Sequence, residues 1–494
     1  MLRVLRFARR PNGAGFVSGL ALALAIAGGA VAAGIPTPAH AQTQLSPSRG
    51  FSKLAQPVEK VLVEADTNEK TAPLIAQITA ADVAQRAPLH AQFDAATGLN
   101  DKIQKMVAGI EKQDDRYVAG KFILDIGIKS LNPTLQRQGL MLMLDSGLAE
   151  QANLGVYNFY VGSLGYDRGD FAEARKYLRQ SIDAGYTGNE SLGALYLQSF
   201  TRDNRSKEAV TEMVSLIDSN PTVAKAILTE PPLRSALKVA YDSGHFYEMG
   251  RLLLTLNDWY PSTEAAQYLA ALPGQSATGT GSAAVAEDAA KLVTTVEDPR
   301  AWYMATNALL VQGRFTEREA LDAMRLLART NALLTASDYK DMLAGLAPQS
   351  LPTEAEKVLN AGVQAGLLSN SDEVVVEAKG QIAGAKGEDR AYIDDGVAIK
   401  QARGGDASRA RTVGNTAFSL GEYATAEEML NLAINAGGTD VDQLRLRLGI
   451  AQLLQGKADD ARTTLGAVAG KYAPVAKLWL AYGEKNKANV ASAS

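Results

Sequence analysis

The side chains that most often perform catalysis or bind metals are scarce in this sequence. Its 494 residues include no cysteine and three histidines, His40, His90 and His245. A sequence without cysteine excludes disulfides, thiolate metal ligands, cysteine nucleophiles and iron–sulfur clusters. His90 follows a Pro-Leu pair and His245 lies in a predicted turn, positions that favour a surface residue over a metal ligand. We therefore expect no metal and no cofactor.

The carboxylates and glycines do not form a recognisable catalytic motif either. Adjacent acidic pairs such as Asp394-Asp395 and Asp459-Asp460 lie in predicted helices. Neighbouring side chains on a helix point about 100° apart, so these pairs do not converge on one substrate. Gly456-Lys457 lacks the glycine-rich loop and the Ser/Thr of a phosphate-binding motif. The sequence predicts a protein that is not an enzyme.

Composition and charge restrict the class of protein further. Hydrophobic residues make up 46% of the chain and charged residues 21%, which is ordinary for a globular protein. These values exclude a multi-span membrane protein and a fully disordered chain. The formal net charge of -4 argues against nucleic-acid binding.

The N-terminus has the three parts of a secretory signal. Four arginines precede an uncharged apolar stretch from Phe16 to Ala33, and two prolines and Ala39-His40-Ala41 follow it. We predict a signal peptide over residues 1–41 and a periplasmic mature protein without a membrane span. Secretion, or tethering by an uncleaved signal, are the alternatives. Removing residues 1–41 leaves 46 basic and 54 acidic residues, a net charge of -8.

The mature chain shows helical periodicity with a repeat of about 35 residues. Short predicted helices are separated by polar or glycine-containing turns. These turns lie near residues 169, 204, 244, 313, 350, 421 and 456. The two longest intervals, 69 and 71 residues, correspond to two periods each.

Each clear unit repeats the same order of small and large residues. The first helix carries Gly162, Gly414 or Gly449, and the turn after it carries Gly169, Gly421 or Gly456. The second helix carries an alanine and then Leu178, Leu430 or Leu465. We expect the first glycines to allow two helices to approach closely, and the turn glycines to end the first helix.

This order and spacing resemble the tetratricopeptide repeat (TPR) family, most closely over residues 155–221 and 407–470. The first-helix tryptophan is mostly missing, and the closing proline remains only at Pro221 and Pro261. The resemblance implies an all-α solenoid of helix pairs, wound as a right-handed superhelix with a concave groove.

The resemblance also implies which residues bind a partner, because the first helix of each pair lines the groove. Phe159, Ser163 and Tyr166 share that face, and the two aromatic rings are candidate peptide anchors, with packing between units as the alternative. Arg411 and Asn415 fall where related repeats hold the terminal carboxylate of a peptide, and Arg447 of the next unit is expected to join them.

Composition divides the chain into segments. After the signal we predict a disordered lead, an N-terminal helical cap region, a first TPR-like arm, a flexible linker, a second arm with a closing helix and a disordered tail. In that order they span residues 42–50, 51–115, 116–272, 273–283, 284–485 and 486–494.

These features predict a protein–protein interaction scaffold of the bacterial cell envelope that holds a protein or peptide partner in its groove. Two other functions stay open. One is an envelope enzyme or glycan-processing accessory protein with an unrecognised site. The other is a structural protein that self-associates through open solenoid ends.

Overall fold

Helices account for all the regular secondary structure in the computed structural model, which describes residues 45–276 and 282–492; no strand occurs within these ranges. The predicted all-α class is confirmed. The predicted signal peptide lies outside the described residues, as do the centre of the predicted linker, residues 277–281, and the last two residues.

The described part of the chain divides into two compact units, the first ending at residue 202 and the second beginning at residue 203. The helices of the first unit are α1 (Arg49–Glu64), α2 (Ala72–Ala80), α3 (Arg86–Thr97), α4 (Leu99–Ala108), α5 (Gln113–Lys129), α6 (Pro133–Asp145), α7 (Gln151–Asp167), α8 (Phe171–Asp183) and α9 (Leu192–Thr201). Helix α1 packs on α4 and α5, and from α5 onward each helix packs on the next along the chain.

The second unit begins with α10 (Ser206–Ser219), α11 (Pro221–Ile227), α12 (Glu230–Ser243), α13 (Phe246–Trp259), α14 (Thr263–Ser276), α15 (Ser282–Thr295), α16 (Pro299–Gly313), α17 (Glu317–Arg329), α18 (Ala336–Leu346) and α19 (Pro352–Gln364). It continues with α20 (Glu373–Gly384), α21 (Glu388–Asp394), α22 (Val397–Arg403), α23 (Ala407–Leu420), α24 (Tyr423–Asn435), α25 (Val441–Leu454), α26 (Ala458–Gly466) and α27 (Ala473–Ser492). A 3₁₀ turn, Gly470–Tyr472, joins α26 to α27.

The unit boundary at residue 202 lies inside the predicted first arm, between α9 and α10. Around the predicted linker, α14 continues through Pro273 and Gly274 to Ser276, and α15 begins at Ser282. Helix α1 starts at Arg49, inside the predicted lead, and α27 continues into the predicted tail. The predicted segments remain predictions. The division into two units is a separate, observed feature of the structure.

The first-helix glycines of three helix pairs lie close to a leucine of the second helix in the same pair. A Cβ on Gly162 would lie 2.7 Å from Leu178 Cγ, and the corresponding distances are 3.0 Å for Gly414 to Leu430 and 2.6 Å for Gly449 to Leu465. In each pair the leucine is 16 residues after the glycine. The same close approach therefore recurs in α7–α8, α23–α24 and α25–α26.

The turn glycines also have the predicted conformation. Gly169, Gly421 and Gly456 have φ angles of 79°, 85° and 80°, in the left-handed region that favours glycine. Each glycine N–H donates to the carbonyl three residues earlier, and the next N–H donates five residues back, as in Glu422 to Ala417. These hydrogen bonds satisfy the last carbonyls of the first helix and start the second.

The C-terminal helices of the second unit return to its middle. Helix α27 packs against α15, α16 and α17, and α25 packs against α17. Lys485 Nζ donates to the carbonyl oxygens of Val293 and Val296, at 3.0 and 2.9 Å. In a simple solenoid each repeat contacts only its neighbours. The helices from α15 to α27 instead form a closed circuit of packing.

Helix α17 is a member of this circuit, and its middle is buried. Every residue from Ala320 to Leu327 is buried, including Asp322 and Arg325. Gly345 of α18 lies close to it, because a Cβ there would be 2.6 Å from the carbonyl oxygen of Glu317. A helix buried on all sides needs partners for its polar side chains.

Candidate functional site

Two of the three residues predicted to clamp a carboxylate, Asn415 and Arg447, lie together, and Arg447 holds a carboxylate. Arg447 is 7% exposed and contacts Asp322 through two nitrogens, Nε to Oδ1 at 3.0 Å and Nη2 to Oδ2 at 2.6 Å. Its Nη1 donates to Asn415 Oδ1 at 2.6 Å. The bound carboxylate belongs to α17 of the same chain, not to a peptide partner.

Arg411, the third residue of the predicted clamp, points elsewhere. Its Nη1 donates to Thr439 Oγ1 at 2.8 Å, and its Nη2 lies 3.1 Å from Asp440 Oδ2. Both contacts are with the segment that precedes α25. The structure therefore does not bring Arg411 and Arg447 together, because each guanidinium is held by a different carboxylate, and partner binding by these residues stays a prediction.

Asp322 is the centre of the cluster, and it is fully buried. It accepts hydrogen bonds from Arg447 and, at Oδ1, from Arg325 Nη1 at 2.8 Å. Burial by itself raises the pKa of Asp322, but the two adjacent guanidinium groups outweigh it and hold the pKa below its ordinary value. The carboxylate is ionised at neutral pH.

Arg325 links α17 to two more helices. It pairs with Glu354 of α19 in a two-bond arrangement, Nε to Oε1 at 2.8 Å and Nη2 to Oε2 at 2.6 Å. Its guanidinium carbon lies 4.6 Å from the centre of the Phe418 ring in α23, within the range of a cation–π contact. Since Arg325 is 5% exposed, these contacts replace its hydration.

Three further contacts hold α17 along its length. Lys471 pairs with Glu319, one turn before Asp322. Trp479 Nε1 donates to the main-chain carbonyl oxygen of Asp322 at 3.0 Å, and Arg329 Nη2 donates to Tyr423 Oη at 2.7 Å. The partners of α17 thus come from α19, α23, α24, α25, the 3₁₀ turn and α27.

We call this set of partners the α17 site. It comprises Glu354, Asn415, Phe418, Tyr423, Arg447, Lys471 and Trp479. Along α17 it faces a stripe of four charged residues, Glu319, Asp322, Arg325 and Arg329, which share one side of the helix at spacings of three to four residues. Lysine and arginine face the acidic half of the stripe, whereas glutamate and the tyrosine hydroxyl face the basic half.

The predicted anchors of the first unit have different surroundings. Phe159 is 1% exposed, and its ring centre lies 5.3 Å from that of Tyr160 and 5.7 Å from that of Tyr186. The Phe159 ring is covered, because Tyr186, in the segment after α8, packs against it, and partner binding by Phe159 stays a prediction. Phe159 stabilises the α7–α8 pair.

Ser163 and Tyr166 are half-buried. Tyr166 Oη donates to Gln198 Oε1 of α9 at 2.9 Å, and its ring packs edge-on against Phe171 at 5.5 Å. Tyr166 is thus held in one orientation with part of its ring accessible. Partner binding by these two residues stays a prediction.

Sequence reasoning missed the α17 half of the cluster. Glu319, Asp322, Arg325 and Arg329 form an ordinary charged stripe, which is typical of a solvated helix face. One signal was present: between Phe315 and the next turn, the chain combines this stripe with an unusually continuous apolar face. That pattern is also typical of a helix whose charged face and apolar face are both covered by other helices.

Among the described residues, no three His, Asp or Glu side chains gather closely enough to hold a metal ion. None of the helices in the same part of the chain combines the length and apolar character that crossing a bilayer requires. No family model matches the sequence, and no curated protein sequence matches it significantly.

Proposed function

We propose that this chain is an exported all-α repeat protein, similar to tetratricopeptide proteins, that binds a protein or peptide partner in the bacterial cell envelope. The observation that carries the proposal is the glycine-to-leucine contact that recurs with the same 16-residue spacing in three helix pairs. One helix pair cannot bury its own apolar face, so recurring pairs of this kind stack. A right-handed superhelix of such pairs offers a partner a preformed concave surface.

Export is supported by the sequence alone. The arginines, the uncharged apolar stretch and the small-residue site at Ala39 to Ala41 have the order of a cleavable signal. A mature chain without cysteine also suits an oxidising compartment, since it has no thiol to protect.

A binding role is favoured over catalysis by the way the buried charges are used. Asp322, Arg325, Glu354 and Arg447 are paired with one another, at 2.6 to 3.0 Å. A catalytic group has to be available to a substrate, whereas these groups are engaged in joining helices. This cluster therefore supports a structural and recognition role.

In the first unit, the proposed partner surface is the exposed side of α7 around Ser163 and Tyr166. Tyr166 offers a ring whose hydroxyl is already fixed by Gln198, so little conformational freedom is lost on binding. An extended or helical segment laid across this face would contact the ring edge and the serine hydroxyl.

Site-specific photocrosslinking in cells tests the proposal. A photoreactive amino acid replaces Ser163 on α7, and a matched control replaces Gln180, an exposed residue on α8 of the same pair. We expect a discrete adduct with one or a few envelope proteins from position 163 and none from position 180. Adducts of equal strength at both positions, or none at either, would contradict the proposed surface.

A further inference from the structure

The second unit packs around one of its own amphipathic helices, α17, and pairs both halves of its charged stripe. Helix α17 presents an acidic half, Glu319 and Asp322, and a basic half, Arg325 and Arg329, on one side. Lys471 and Arg447 receive the acidic half, and Glu354 and Tyr423 receive the basic half. The site therefore fixes both the direction and the register of the helix it holds.

The direction is also favoured by the helix dipole. Acidic side chains in the first turns and basic side chains in the last turns of a helix both complement its partial charges. A helix bound in the opposite direction would place Arg329 against Lys471 and Glu319 against Glu354's half of the site. Like charges in buried positions disfavour that arrangement.

We infer that the α17 site is a binding site for partner helices with this acidic-then-basic stripe, and that α17 is an internal competitor which occupies it in the free protein. The inference rests on the proposed binding function and names its partner class. A partner helix needs acidic residues at positions 1 and 4 and arginine at position 7 of the stripe, with an apolar opposite face. It binds when α17 swings out.

The geometry explains why a second helix can replace α17. All of the recognised groups are side chains of α17 apart from the Asp322 carbonyl oxygen, which any helix supplies. The Glu319–Lys471 pair at the rim is the first contact to open, because its side chains are 28% and 36% exposed. The Asp322 cluster, which is buried, is the contact that a competitor must match.

A peptide-binding experiment on the full mature chain tests this. The probe is a fluorescent peptide of residues 315–331, with blocked ends, followed by fluorescence anisotropy. In the wild-type chain the tethered α17 competes at an effective concentration on the order of millimolar, so binding is weak. In an Asp322→Asn chain the internal helix loses its charge pairing, and we expect the peptide to bind at least about ten-fold more tightly.

Matched controls accompany the probe. A peptide with the same Asp→Asn change is expected to bind the Asp322→Asn chain without this increase in affinity. The Asp459→Asn chain, altered in an exposed pair with Arg462, is expected to bind like the wild type. Because the sequence contains no cysteine, Glu319→Cys with Lys471→Cys and a short bismaleimide would lock α17 in place, and we expect locking to abolish peptide binding by the Asp322→Asn chain.

The inference is overturned if a folded Asp322→Asn chain, with wild-type helical circular dichroism, binds the peptide no better than the wild type. It is also overturned if the locked chain binds equally well, because the peptide then binds elsewhere. These arms use a peptide of this chain, so their failure leaves the photocrosslinking at Ser163 as an independent test of partner binding.

Hydrogen exchange of the wild-type chain keeps the inference testable if Asp322→Asn does not fold. Release of α17 is an opening smaller than unfolding of the whole unit, so we expect its amides to exchange at least about ten-fold faster than the slowest amides of α25. Exchange of α17 and α25 at one common slow rate would mean that α17 is a permanent core helix, and the inference would be wrong.

Discussion

Each unit buries a carboxylate completely, and the two are stabilised in different ways. Asp115 of the first unit accepts main-chain N–H groups of Ser48, Glu111 and Lys112, at 2.6, 3.1 and 3.3 Å. Asp322 of the second unit is held by the guanidinium groups of Arg325 and Arg447. In both cases burial raises the pKa, but the donors outweigh it and the pKa lies below its usual value.

The difference lies in what each carboxylate connects. Asp115 caps the start of its own helix and ties down the segment that leads into α1. Asp322 joins helices 125 residues apart in sequence, and Trp479 reaches its main chain from 157 residues away. In the first unit such contacts join residues 63 to 67 apart in sequence, as in Lys129 to Asp66 and Ser48 to Asp115, whereas the contacts of Asp322 in the second unit span 125 and 157 residues. A repeat pattern determines the stacking of neighbours but not this closure.

Removing the carboxylate of Asp322 is expected to change the free energy of unfolding most, and it tests the difference between the two units directly. Asp322→Ala leaves two buried guanidinium groups without their shared partner, which costs about 3–5 kcal/mol in the free energy of unfolding. We expect the loss in the second unit only, measured by urea unfolding with hydrogen exchange resolved by unit. Asp459→Ala on exposed α26 is the control, with an expected change within about 0.5 kcal/mol. A cost below about 1 kcal/mol for Asp322→Ala would mean that the cluster does not close the unit.

The first unit depends instead on the close approach of α5 and α6. A Cβ on Gly139 would lie 2.4 Å from the main-chain nitrogen of Leu124, which cannot move aside like a flexible side chain. We expect Gly139→Ala to destabilise the first unit by about 1–3 kcal/mol. Gly380 in α20 is the matched control, since a Cβ there would have no heavy atom within 4 Å. Gly380→Ala is expected to stabilise the second unit by up to about 1 kcal/mol. Equal effects of the two substitutions would contradict the packing described.

Local packing was predictable from the sequence because it depends on residues within one unit. Gly162, Gly414 and Gly449 were expected to permit close approach, and each lies close to the second helix of its pair. The proximity of Asn415 and Arg447 was predicted too, since they occupy adjoining units. The carboxylate that Arg447 holds was not predictable, because Asp322 lies 125 residues before it in sequence.

Phe159 and Asp322 show what register and local charge do not determine. Register places Phe159 on the groove side, but Tyr186 from an irregular segment covers its ring, and irregular segments have no register. A charged stripe such as the one that carries Asp322 is typical of a solvated face, but α27 returns and covers it. In both cases a distant or irregular part of the chain buries a face that local periodicity leaves exposed.

Substitution of the turn glycines tests a feature that the two units share, the glycine turn between the helices of a pair. Gly169 in the first unit and Gly421 in the second have φ angles of 79° and 85°, and a Cβ at either would meet no neighbouring atom within 4 Å. Alanine at each position pays only the strain of the left-handed conformation, so we expect similar losses of about 1–2 kcal/mol in their respective units. Thermal unfolding of the two variants measures this. Losses that differ by more than about 1 kcal/mol would mean that the two turns are not equivalent.

The smallest expected effect concerns the rim of the α17 site and its dependence on pH. Lys471 and the N–H of Thr316 lower the pKa of Glu319 from its ordinary value of 4.5. Because the pKa of Glu319 is lower in the folded state than in the unfolded chain, its ionised form stabilises the fold. This contribution is fully present above the ordinary pKa and disappears as pH falls through the folded-state pKa. Since the Glu319 side chain is 28% exposed, we expect Glu319→Gln to cost less than about 1 kcal/mol at neutral pH.

The difference in urea midpoint between the wild type and Glu319→Gln should therefore be constant from about pH 8 to pH 5.5, and should shrink as pH falls below about 4.5. Glutamine mimics the protonated carboxyl, so the two chains converge in acid. Glu317→Gln, at the exposed start of the same helix, serves as the control for a change of net charge without loss of the lysine pair. A Glu319→Gln chain that is more stable than the wild type at neutral pH, with the difference closing in acid, would mean that Glu319 is destabilising when ionised. Lys471 would then not hold the end of α17, and the rim would not be where the helix begins to open.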